Sequence, residues 1–143
     1  AYARVLATGL AAQHGVLDTV ATSPAPHPDE IALGRRLTAR DALDCRQCHG
    51  VGPLQPRGDD RTKLAPGINF DLIRRRIRPD FYTRFVLDPP RYDIGTKMPK
   101  LTADGRTTRV TGILDGDAHR QFAALWQYIH HFDHNPAAKS SAS

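Results

Sequence analysis

The sequence predicts an all-α fold of several short helices separated by long loops. Three observations carry that prediction. Apolar residues recur at helical intervals in most of the stretches able to form regular structure. Strand-like character is confined to one short piece, residues 107–114. Two long segments, residues 50–68 and 88–101, are rich in Gly, Pro and charge and read as loops. Long loops weaken a small domain unless something fixes them, and a large buried cofactor would fix both.

The elements follow in order. Residues 2–21 are rich in Ala and Leu, with apolar residues spaced for a helix. The run "TSPAPHP" after them favours an extended linker, because proline cannot continue a helix. Residues 1–28 therefore form an N-terminal segment and linker, and the main domain spans 29–135. Asp29 and Glu30 favour the positive end of a helix that carries Ile31, Leu33, Gly34 and Leu37 on its apolar side. Ala42 to Cys48 reads as a short helical stretch. Asn69 can cap "FDLIRRRI", where Ile73 and Ile77 lie one turn apart. Pro79 suits the first turn of "PDFYTRFVL", where Phe81 and Phe85 share a face. Asp88-Pro89-Pro90 stops that helix. Asp104-Gly105 is a turn signal. The last helix starts between Asp115 and Asp117 and carries the stripe Phe122, Leu125, Ile129 and Phe132. Residues 136–143 form a polar tail expected to be disordered.

Composition narrows the class further. Hydrophobic residues make up 40% and charged residues 24%, a balance that suits a soluble domain. No apolar run approaches the length of a membrane span. The chain lacks an initiator Met and a signal segment, which predicts a processed protein or a piece of a larger one. Residues 57–106 hold twelve Lys and Arg against seven Asp and Glu, while the remainder balances at eight against eight. The net charge of +5 thus sits in the middle third. That excess is either a solvated face or a docking surface for an acidic partner.

Both cysteines lie in "DALDCRQCHGVGPL", as Cys45 and Cys48, with His49 directly after them. Four readings compete. Structural zinc needs four ligands, and two cysteines with the adjacent pair His130 and His131, or His134, make a poor set. A thioredoxin-like redox pair expects a preceding strand, and none precedes Cys45. A disulfide would close a tiny loop and order little. Covalent haem attachment uses the signature C-x-x-C-H, with two thioethers to the cysteines and the histidine turned to the iron. This last reading explains the most, since it also accounts for the two long loops.

At these residues the chain resembles the class I cytochrome c family. "CRQCHGVGPL" is similar to the attachment segment of that family, "GTKMP" (residues 95–99) to its distal loop, "GRRLT" to its first helix and "LWQYI" to its last. The likeness covers about residues 29–132 and implies a cytochrome c fold around one haem c. It implies that His49 and Met98 are the axial iron ligands, that the Pro53 carbonyl accepts a hydrogen bond from His49, and that Leu54 packs on the haem. It also implies that Gly34 lets the first helix approach the last, with Leu125 and Tyr128 at the crossing. Two departures stand out. Thr38 replaces an aromatic residue, and the spacing from Gly34 to Cys45 is longer than in short members of the family. The ending "LDGDAHRQFAALWQYI" is similar to cytochrome c domains fused to further domains in large bacterial proteins.

The function implied is single-electron transfer rather than enzymatic catalysis, in a periplasmic or other extracytoplasmic location. The partner would be a redox protein with an acidic docking surface. The runner-up is a haem-based gas sensor or catalytic haem domain whose distal site is labile or open. A nucleic-acid-binding module with a zinc site comes third, because basic and aromatic residues do not interleave. Ordinary structural roles weigh against individual residues. A single Met is usually core filler. Here Met98 lies in a polar, Pro-flanked loop outside any apolar stripe, which favours ligation. His14, His27 and His119 suit solvent, and His130, His131 and His134 suit helix-end cations. Trp126 and Tyr128 suit the core. Trp126 or Tyr92 could bond a haem propionate through its polar atom. Arg57, Arg61 and Arg91 are candidate propionate partners or plain surface cations.

Overall fold

The computed structural model describes residues 2, 5, 6, 9, 10, 27–60 and 64–132. These residues are all-α in character. Their only β pairings are isolated bridges such as Thr102 with Thr108 and Thr107 with Asp117. The helices are α1 (Pro28–Leu37), α2 (Phe70–Arg76), α3 (Pro79–Leu87), α4 (Pro89–Tyr92) and α5 (Ala118–His131). Residues 2, 5, 6, 9 and 10 of the N-terminal segment are helical, and Tyr2, Val5, Leu6 and Leu10 are exposed. The linker up to residue 26 and the tail from residue 133 lie outside the described residues, as do His14, His134 and Arg61.

The long C-terminal helix α5 organises the core. Asp117 caps it by accepting from the Arg120 amide at 2.9 Å. The expected stripe is buried: Phe122, Leu125, Ile129 and Phe132 are 2, 4, 1 and 7% exposed. α1 packs along it, and Gly34 is the reason it can come so close. A Cβ on Gly34 would overlap the Ala124 carbonyl oxygen and stand 2.7 Å from the Tyr128 Cβ. The crossing thus rests on Ala124 and Tyr128, with Leu125 buried beside them. Thr38, at the end of α1, is buried and returns its hydroxyl to the Arg35 carbonyl at 2.7 Å. It closes the helix there in place of an aromatic contact.

Expectation and structure differ at three places. Ala42 to Cys48 is not a helix. Asp44 is left-handed, and only Cys45–Gln47 forms a short 3-10 turn. Asp88-Pro89-Pro90 does stop α3, but the same prolines open α4, because proline's fixed φ suits a first helical turn. Within residues 107–114 only Thr107 and Thr108 form isolated bridges and no strand forms, since Gln121 of α5 takes up the segment's polar groups. It is fully buried, donates to the Val110 and Ile113 carbonyls at 2.7 and 2.6 Å, and accepts from the Thr108 hydroxyl at 2.6 Å. The segment is held against α5 by side-chain bonds in place of a ladder.

Candidate haem-attachment site

The 3-10 turn gathers Cys45, Cys48 and His49. The Cys48 and His49 amides both donate to the Cys45 carbonyl, at 3.2 and 2.9 Å. This closes one tight turn and sets the two sulfurs and the imidazole on a short piece of chain. Both cysteines are free thiols and partly buried. Burial pushes the Cys45 thiol up to about 12, against the opposing pull of a backbone hydrogen bond. Such a sulfur resists ionisation. It suits a neutral thioether better than the thiolate that zinc or redox exchange requires. Among the described residues, no three His, Cys, Asp or Glu side chains gather into a metal-holding group.

His49 is held from a side that the sequence did not indicate. Its Nδ1 lies 2.7 Å from the Ile68 carbonyl oxygen. A carbonyl only accepts, so Nδ1 carries the proton and Nε2 keeps its lone pair. Burial lowers the His49 pKa, which keeps the ring neutral and able to ligate. Gly67 lies across the ring, where an added Cβ would sit 2.7 to 3.0 Å from three of its atoms. Phe70, 2% exposed, stands between His49 and α5, with ring centroids 5.4 Å from His49 and 6.4 Å from Tyr128.

A strap, residues 66–70, supplies all of this. It is laced to the cysteine turn by Gly67 N to Cys48 O at 2.9 Å and Phe70 N to Gly50 O at 3.0 Å. The role expected for Pro53 is therefore corrected: the acceptor for His49 is Ile68. Pro53 is exposed in a tight turn closed by Val51 and Leu54, whose backbones exchange bonds of 2.9 and 3.0 Å. Leu54 ends that turn 43% exposed, so in this structure it is a surface side chain. The sequence signal for the strap is Pro66-Gly67 ahead of a capping Asn, which reads locally as a turn before a helix.

Met98 and Cys45 both pack against the core cluster. Met98 is partly buried, and its amide donates to the Thr96 hydroxyl at 3.2 Å. Arg57 pairs with Asp44 at 2.8 Å, and its amide donates to Arg46 O, so it braces the cysteine turn. Arg91 and Tyr92 are exposed. Trp126 lies in the core, 4.6 Å between ring centroids from buried Tyr82. His27 caps α1, His119 is exposed, and His130 packs against Trp126 with tilted rings whose centroids lie 4.0 Å apart. The donor set fits a covalently bound haem on three counts. Two free thiols lie in one turn, a neutral imidazole has its second nitrogen free, and a glycine lies where a side chain would displace the ring.

No family model, curated protein or solved structure matches this chain.

Proposed function

We propose that the chain is a c-type cytochrome domain that transfers single electrons. Cys45 and Cys48 would hold the haem through thioethers, and His49 and Met98 would be the side chains that ligate its iron. The observation that carries this reading is the 2.7 Å contact of His49 Nδ1 with the Ile68 carbonyl oxygen, which commits the ring proton to Nδ1 and leaves Nε2 as an electron-pair donor. The haem, when bound, supplies iron that cycles between two oxidation states. The residues around it do the rest. Ile68 raises the basicity of the imidazole through the hydrogen bond. Gly67 and Phe70 fix the plane of the ring, which limits rearrangement when charge changes. Met98 would supply a thioether ligand, which would raise the reduction potential and leave no position for a gas.

The exposed cations Arg91 and Lys97 flank the Met98 loop and suit an acidic redox partner, with binding weakened by salt. Attachment of this kind takes place outside the cytoplasm, so the reading includes an extracytoplasmic location. Among the described residues no helix is long and apolar enough to cross a membrane. The test is intact mass spectrometry of the chain made in a host that attaches haem. A mass gain of one haem, lost when Cys45 and Cys48 are both changed to Ala, is expected. An unmodified wild-type mass would reject the reading.

A further inference from the structure

We propose that Asn69 is a positioning residue for the axial histidine. It acts as the buckle that holds the Ile68 carbonyl on His49. The proposal rests on the haem reading above.

Ile68 serves the site through its backbone. The residue is 54% exposed, so packing does little to fix where the carbonyl lies. The carbonyl is placed instead by what anchors the chain on either side. Before it, the Gly67 amide donates to Cys48 O at 2.9 Å. After it comes Asn69, whose side chain spans two segments. Asn69 Nδ2 donates to Gly52 O at 2.9 Å, and Asn69 Oδ1 accepts from Gly52 N at 3.1 Å. This pair of bonds grips the peptide groups of one residue in the turn that follows His49. Oδ1 also accepts from the Asp71 amide at 2.9 Å and so caps α2. Gly50 makes room for the buckle, since a Cβ there would stand 2.8 Å from Asn69 Nδ2.

Loss of the grip on Gly52 lets the strap shift away from the turn, and the bond from Nδ1 to Ile68 lengthens. A weaker bond makes the imidazole a poorer donor and favours the ferrous state, which raises the reduction potential. The capping role can be separated from the grip. Serine caps a helix well but is too short to engage both polar groups of Gly52. Asn69→Ser therefore keeps α2 and removes the buckle.

The experiment compares haem-loaded wild type, Asn69→Ala, Asn69→Ser and the control Leu72→Ala, a half-exposed change on α2. Two quantities are read: the reduction potential, and solvent exchange of the His49 Nδ1 proton by NMR in the reduced protein. Both Asn69 variants should raise the potential, by up to a tenfold change in the ferric-to-ferrous ratio, or about 59 mV for one electron. Proton exchange should quicken in both, while Leu72→Ala matches wild type. Haem-loaded Asn69→Ser with unchanged potential and exchange would overturn the assignment of Asn69 alone. The same shift in Leu72→Ala would make it a general effect of α2 and would also overturn it. A wild type that takes up no haem would overturn the haem reading first, and this proposal with it.

Discussion

Gly34→Ala isolates the helix crossing on which the core depends. In an exposed helix the same change stabilises by about 0.5 to 1 kcal/mol, because alanine loses less backbone entropy. At Gly34 the sign should reverse. The new methyl meets a backbone oxygen at Ala124 and the Cβ of Tyr128 at 2.7 Å. Neither is the far end of a flexible side chain, so relief requires α1 and α5 to separate. Overpacking of this kind costs about 1 to 3 kcal/mol, which outweighs the propensity gain. For a domain of this size each kcal/mol lowers the melting temperature by about 4 °C. The control is Gly112→Ala, where an added Cβ meets nothing within 4 Å. It should leave stability unchanged or slightly raised. Thermal unfolding followed by circular dichroism at the helical band reads both. If Gly34→Ala melts at or above wild type, the close approach of α1 to α5 is not as described.

Two further changes test the loop segment and the charges. Gln121→Leu leaves the Val110 and Ile113 carbonyls and the Thr108 hydroxyl without the partner they share. Each unsatisfied buried group costs about 1 to 3 kcal/mol, so a loss of about 3 kcal/mol is expected in denaturant unfolding. A loss under about 1 kcal/mol would mean that water replaces the side chain. Asp104 is held down to about 2 by bonds from the Thr107 and Arg106 amides. Its folded pKa lies below the unfolded value of about 3.9, so its contribution is full above that value and is lost as pH falls through about 2. Asp104→Ala should therefore melt below wild type near neutral pH, with the gap closing in strong acid. A gap that stays constant down to that range would contradict the assignment.

Much of this architecture is legible in the amino-acid sequence. Local rules place α1, α2, α3 and α5 within a residue or two, because each begins with its own signal: Pro28 with Asp29 and Glu30, Asn69, Pro79 and Asp117. The apolar stripe of α5 needs only periodicity. Long-range partners are harder. Nothing near His49 in sequence says that its hydrogen bond goes nineteen residues away to a backbone oxygen. Any residue type carries a carbonyl, so Ile68 leaves no mark. Pro53 lies closer and fits the resemblance, but the turn at Val51 to Leu54 carries it to the surface. Gln121 is hidden in the same way. In an amphipathic helix a polar residue reads as solvent-facing, and only the loop that wraps over it shows why it is fully buried.

The proposed haem domain would hold its iron through His49 and Met98 and its porphyrin through Cys45 and Cys48. It is tested most directly by the visible spectrum of the purified chain, oxidised, reduced, and reduced under carbon monoxide. The account predicts a low-spin c-type spectrum that carbon monoxide leaves unchanged. A high-spin spectrum, or a shift under carbon monoxide, would show an open or labile distal position and contradict the role of Met98. An absence of haem absorption from a host able to attach haem would contradict the whole site.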